Sequence, residues 1–160
     1  MKTENATWLC CDNLILIGIT YQDERKKIIT VSAIINAPVK KVWDYWNNPN
    51  HITGWNFAND EWHAPSAKND LKVGGKFNSR MEAKDGSFGF DFEGVYDQVI
   101  PEKYIEYTLG DSRKVKIKFT SEGNTTTIEE SFEAESENPI EMQQMGWQMI
   151  LNNFKRYTEK

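Results

Sequence analysis

Cysteine is scarce in this chain: the only two, Cys10 and Cys11, are adjacent, and neighbouring residues rarely reach unstrained disulfide geometry. A disulfide-stapled secreted scaffold is therefore excluded, and a cytoplasmic location is the default expectation. Histidine is equally sparse. His51 and His63 stand apart from any spaced set of Cys or His, so no metal site and no nucleophile motif is expected. Positive charge is in deficit, with 19 Lys and Arg against 24 Asp and Glu, a formal net charge of −5, which opposes a general nucleic-acid role. The one basic concentration, Arg113, Lys114, Lys116 and Lys118, alternates with Val115, Ile117 and Phe119, and reads as a strand with a solvated face. Long apolar runs are missing too. The stretch from Trp8 to Ile19 is broken by Asp12 and Asn13 and is too short to cross a bilayer core of about 30 Å as a helix. It also lacks a signal-peptide cleavage pattern, so neither membrane insertion nor secretion is expected.

What the chain does have is aromatic bulk: six Trp, eight Phe and six Tyr, 12% of 160 residues, which gives a single core more substance than the 39% apolar fraction suggests. Two parts are expected, an N-terminal extension over 1–27 and one domain over 28–160. Within the extension, Leu14 to Ile19 reads as a possible extra strand. An exposed apolar strand offers a pairing edge, so this segment is also a candidate dimerising or partner-binding arm.

Ile28 to Ile35 is β-branched and reads as a strand ended by Asn36-Ala37-Pro38. Val39, Val42, Trp43 and Trp46 then mark a short helix that stops at Asn47-Asn48-Pro49, with a second helical turn through Ile52. Short strands follow. Glu61 to Ala67 is the weakest, with a turn over Lys68 to Gly75. Gly75 to Ala83 alternates, placing Phe77, Ser79, Met81 and Ala83 on one face; Asp85-Gly86 turns the chain; and Phe88, Phe90, Phe92, Gly94 and Tyr96 share one face of the next strand. Tyr104 to Leu109, the Lys-rich segment and Thr125 to Ala134 complete about seven strands in an antiparallel meander.

The chain closes with one amphipathic helix over Asn138 to Tyr157. Asn138 is the expected cap, with Pro139 in the first turn and Glu141 reaching back as in a capping box. Trp147, Ile150, Leu151 and Phe154 form a firm apolar stripe, and Met142, Met145 and Met149 a softer one beside it. Gly94, in mid-strand, suits a bend, and Gly146 on the helix is expected to match it by close approach. Helices that do not alternate with the strands exclude a doubly wound sheet, so the class is α+β. The glycines of Val73-Gly74-Gly75 precede a strand and lack the helix and Lys-Ser/Thr ending of a phosphate loop.

Several of these stretches resemble one family. Ala37-Pro38-Val39-Lys40-Lys41-Val42-Trp43, Asn48-Pro49 and Gly54-Trp55 look like the opening of the Hsp90-ATPase-activator-homologue-1-like (AHSA1-like) branch of the START-like, or SRPBCC, superfamily. Val73-Gly74-Gly75-Lys76-Phe77, Phe92-Glu93-Gly94-Val95-Tyr96 with Pro101, and Gly146-Trp147 through Leu151-Asn152-Asn153-Phe154 continue the resemblance in the same order. It implies a helix-grip (Bet v 1-like) fold: a curved antiparallel sheet around the long C-terminal helix, with two small helices after the first family strand and an elongated cavity between sheet and helix.

On that fold the expected function is non-catalytic binding of a hydrophobic or amphipathic small molecule, with no cofactor. The firm stripe is expected on the sheet and the Met stripe at the cavity, since unbranched Met adapts to varied shapes. The candidate pocket residues are Trp55, Phe77, Met81, Phe90, Phe92, Tyr107, Ile117, Ile128, Glu130, Met142, Met145 and Met149. Each apolar one has core filling as its plainer explanation. Glu130 is sharper, because a carboxyl that shares a face with Ile128 and Phe132 must be paired, hydrogen-bonded or protonated. Trp55, after the helical pair, is the candidate lid. The alternatives are an Hsp90-type chaperone or stress-response role, suggested by the resemblance, and a cyclase- or aromatase-like enzyme using Glu130 or Tyr107 for proton transfer.

Overall fold

The computed structural model describes residues 26–160. The possible strand at 14–19 and the arm it would form lie outside that range. In chain order the elements are β1 (Ile28–Ile35), α1 (Val39–Asn47), α2 (Pro49–Ile52), β2 (Trp62–Asn69), β3 (Lys76–Ala83), β4 (Gly89–Ile100), β5 (Tyr104–Leu109), β6 (Lys114–Glu122), β7 (Thr125–Glu133) and α3 (Ile140–Thr158). The strands make one antiparallel seven-stranded sheet in the order β1-β7-β6-β5-β4-β3-β2. Strands β2 to β7 are the expected meander, but β1 does not begin it. It pairs with β7, Val31 opposite Glu130, at the far side of the sheet from β2. This curled half-barrel around a terminal helix is the helix-grip fold.

Alternation decides which side chains turn inward. Along β6, Val115, Ile117 and Phe119 are buried while Lys114, Lys116 and Lys118 are exposed, the solvated face expected of that strand. The inner rows of β1, β5, β6 and β7 build a core of which Ile35, Ile105, Ile117, Ile128 and Phe132 are fully buried. Pro49 opens α2, and the Asn48 side chain caps it by accepting from Asn50 N at 3.1 Å. Trp46 of α1 packs edge-on against Phe154 of α3 at 4.8 Å and tilts against Trp55 at 4.9 Å, so an aromatic cluster closes one end of the half-barrel.

The start of α3 departs from the sequence expectation. The N-cap is Pro139, without a side-chain cap bond, and Asn138 instead donates its amide to Glu135 Oε1 at 2.7 Å. Glu135 also accepts from the backbone N–H groups of Glu137 and Asn138, so the preceding turn captures the residue that would have capped the helix. Gln143 then pins this turn, accepting from Glu135 N at 2.9 Å and donating to Asn138 O at 2.7 Å.

The seat of α3 sets the site. Leu151 and Phe154 are buried, and the helix runs along β1, where Gln148 donates to Ser32 O at 3.1 Å and accepts from Ser32 N at 3.4 Å. Gln144 adds a longer contact to Thr30 O at 3.5 Å. Among the described residues β1 is an edge strand, and these amides satisfy part of its outer backbone and blunt pairing there. With the helix drawn to the β1 side, the inner face of β3 and β4 looks across a gap.

Candidate functional site

That gap is a cavity of about 460 Å³ between the inner sheet face, the 52–58 segment and α3. The residues that α3 turns toward it are Met142, Gln143, Gly146, Trp147 and Ile150. The assignment of stripes is therefore partly reversed. Trp147 and Ile150, expected as anchors, line the cavity, while Met145 and Met149 lie outside its lining, Met145 at 61% exposure. The cause is the seating of the helix on β1 through Gln144 and Gln148, which fixes its rotation and leaves Met145 turned to solvent. Gly146 likewise makes no close approach to Gly94: a Cβ there would meet nothing within 4 Å. At Gly94 a Cβ would fall 2.6 Å from Thr108 O and 2.9 Å from the Phe77 ring, so that glycine serves contacts within the sheet.

Of the other candidates, Trp55, Phe77, Met81, Phe90, Phe92, Tyr107 and Glu130 line the cavity together with Met142. Ile117 and Ile128 do not; both are fully buried in the core beneath it. Trp55 is a fixed wall rather than a free flap, since its indole N–H donates to Tyr45 O at 3.0 Å and Asn153 Nδ2 holds its carbonyl at 2.8 Å. The aromatic wall is continuous. Tyr107 packs edge-on against Phe77 at 4.7 Å; Phe92 meets Trp147 at 5.9 Å; and Trp147 lies flat on Phe132 at 3.9 Å. Phe90 and Trp62, 6.1 Å apart, stand at the mouth.

The polar groups divide into two sets. In the first, the Tyr96 hydroxyl donates to Asn69 Oδ1 at 2.7 Å, and Asn69 Nδ2 donates to Asn47 O at 2.7 Å, a satisfied chain across β4, β2 and α1. The second set is Glu130, Ser79 and Asn56, all buried, with the Tyr107 hydroxyl close enough to feel the Glu130 charge; none of these side chains hydrogen-bonds another described residue. Their polar atoms instead open on the cavity. Glu130 is 6% exposed, and burial alone pushes its carboxyl up to about 8, because the charged form loses water without gaining a partner. Tyr107 is pushed well above the ordinary phenol value, first by burial and then by the negative charge of Glu130 and Tyr96, against a smaller opposing pull from Arg113.

Sequence reasoning missed Asn47, Asn56, Asn69, Arg113, Gln143, Trp62 and Gly146 as lining residues. For the three asparagines no signal was available, since they sit at the end of α1, in the loop after α2 and on the edge strand β2, where facing depends on the sheet's curl. Gln143 did carry one: it stands four residues before Trp147 on the same helix face. Among the described residues no helix is long and apolar enough to cross a membrane, and no group of three His, Cys, Asp or Glu could hold a metal ion.

The family described as "Activator of Hsp90 ATPase homolog 1-like protein" matches residues 36–159. The AHSA1-like protein from Aeromonas hydrophila is 42% identical, with 83% of this chain and 92% of that chain covered and a TM-score of 0.78. Chr148 from Cytophaga hutchinsonii is 60% identical over 82% of this chain and 91% of that chain, with a TM-score of 0.72. CalU16 from Micromonospora echinospora, 21% identical with a TM-score of 0.60 over 82% of this chain and 75% of that chain, shares the fold. No match to a curated protein was found. The chain belongs to the Activator of Hsp90 ATPase homolog 1-like family.

Proposed function

We propose that this protein binds, without catalysis, an amphipathic small molecule in the cavity between its sheet and α3. The observation that carries this reading is a cavity of about 460 Å³ with aromatic walls and four polar side chains on its lining, Glu130, Tyr107, Ser79 and Asn56, that hydrogen-bond no other described side chain. A packed interaction domain has no use for such a void, because interiors close to crystal density and buried polar groups find partners. A volume of this size falls in the range of small-molecule sites, which combine apolar walls with a few polar groups. Four tryptophans on the wall, Trp46, Trp55, Trp62 and Trp147, provide the readout. The test is native mass spectrometry of the freshly purified full chain, followed by titration with a hydrophobic dye monitored through tryptophan emission. A retained small mass, or saturable dye binding abolished by Gly146→Phe, supports the reading; an empty protein that takes up no dye sinks it.

Two other roles have an observation behind them. The family match supports contact with an Hsp90-type chaperone, and stimulation of that chaperone's ATPase by a Gly146→Phe variant would separate such a role from ligand binding. The inward Glu130 beside Tyr107 supports the enzyme alternative, in which a carboxyl of raised proton affinity transfers a proton to or from the occupant. Conversion of the occupant during incubation, lost in Glu130→Gln, would show it.

A further inference from the structure

Resting on the small-molecule reading above, we propose that the occupant is an organic cation: an aliphatic amine on a flat apolar body, its ammonium seated at Glu130 and its body against the aromatic wall. Glu130 is buried to 6% exposure with no donor or cation from the described residues, and a buried carboxylate is stable only when something supplies both. The elements around it do not. Its register neighbours are Val31 of β1 and Ile117 of β6, and α3 turns the uncharged Gln143 and Trp147 toward the cavity. Gln143 is already committed to Glu135 and Asn138. Ser79 of β3 and the asparagines Asn47 and Asn56 carry no charge.

The remaining titratable or charged groups on the lining are Tyr96 of β4, Tyr107 of β5, Lys68 of β2, Glu135 after β7 and Arg113 before β6. Arg113 is the cation that acts on Tyr107, but its guanidinium is turned to Asp111 at 2.7 Å and to Glu133 O at 3.2 Å. Lys68 is exposed. Among the described residues, the cavity thus presents the Glu130 carboxyl with no cation turned toward it. Its walls favour the same guest. The rings of Phe77, Phe92, Tyr107 and Trp147 meet at 4.7 to 6.4 Å, and aromatic faces attract an ammonium most when it is desolvated. An anionic guest would meet Glu130 instead of a cation, and a neutral alcohol would offer the carboxyl a hydrogen bond but no compensating charge.

The test uses three probes with one body, 2-(2-naphthyl)ethylamine, 2-(2-naphthyl)ethanol and 2-naphthylacetic acid, titrated calorimetrically into the full chain at pH 7. The amine should bind about tenfold more tightly than the alcohol, and the acid most weakly. In Glu130→Gln the ratio of amine to alcohol affinity should fall to about one. Because the free carboxyl is protonated at pH 7 and the bound one is ionised, amine binding should release roughly 0.9 proton, read from buffers of different ionisation enthalpy, and alcohol binding none. Alcohol or acid binding as tightly as the amine in the unsubstituted protein overturns the assignment while leaving cavity binding intact; that comparison needs no variant to fold. No binding by any of the three removes both.

Discussion

Two buried oxygens make opposite demands on stability. The Glu130 carboxyl has a folded pKa of about 8 against an ordinary 4.5, so between those values the native state holds a proton that the unfolded chain has lost. Its contribution is full below about pH 4.5 and is lost as pH rises through 8, a slope of roughly 1.4 kcal/mol per pH unit. The unfolding free energy from denaturant titration should therefore fall from pH 5 to pH 8 by about 3 kcal/mol more in the unsubstituted protein than in Glu130→Gln, whose amide does not titrate. Parallel curves for the two proteins would mean that water already solvates the carboxyl. Thr158 is the simpler case. Its hydroxyl is fully buried with no partner among the described residues, so exchanging it for a methyl removes a desolvation cost of about 1–3 kcal/mol at little change of shape. Thr158→Val should raise the unfolding free energy by about 1 kcal/mol, measured by denaturant titration at pH 7.

At the level of elements, α3 does three things with three faces, and only part of this could be read from its sequence. Periodicity identified the helix and its apolar residues, and Leu151 and Phe154 are indeed buried anchors. What periodicity cannot supply is the rotation of the helix about its axis. That is set by Gln144 and Gln148, polar residues whose bonds to Thr30 O and Ser32 draw the helix toward β1 and leave Trp147 and Ile150 facing the gap. Gln148→Ala should cost about 1 kcal/mol and speed hydrogen exchange at the Ser32 amide, with the amides paired inside β6 and β7 unaffected. The glycines give a paired test. Gly94→Ala drives a methyl into Thr108 O and the Phe77 ring and should destabilise by about 2 kcal/mol, whereas Gly146→Ala meets open space and gains helix propensity of roughly 0.8–1 kcal/mol. Thermal melts of the two variants should move in opposite directions; a shared direction would mean that α3 sits closer to the sheet.

For the molecule as a whole, strand alternation, the Asp85-Gly86 turn and the final helix made the α+β architecture legible, because each depends on neighbours in sequence. The place of β1 did not, since its pairing with β7 joins residues about a hundred positions apart, such as Thr30 and Ser131. The site was legible where alternation fixes facing, as at Phe77, Met81, Phe92, Tyr107 and Glu130, and illegible where curvature and helix rotation decide, as at Asn56, Gln143 and Met145. Those same global features hold open the cavity, which a domain of this size would otherwise fill. Filling it from the helix should therefore exchange function for stability. Gly146→Leu places an apolar side chain in the void, adding helix propensity and contact with the aromatic wall, and should raise the thermal midpoint of the empty protein. The unsubstituted chain should be stabilised by a bound ligand, by about 2.7 kcal/mol at a hundredfold excess over Kd with a matching rise in thermal midpoint, and Gly146→Leu should show none. A variant that is stabilised yet still responds to ligand would place the binding site elsewhere on the sheet.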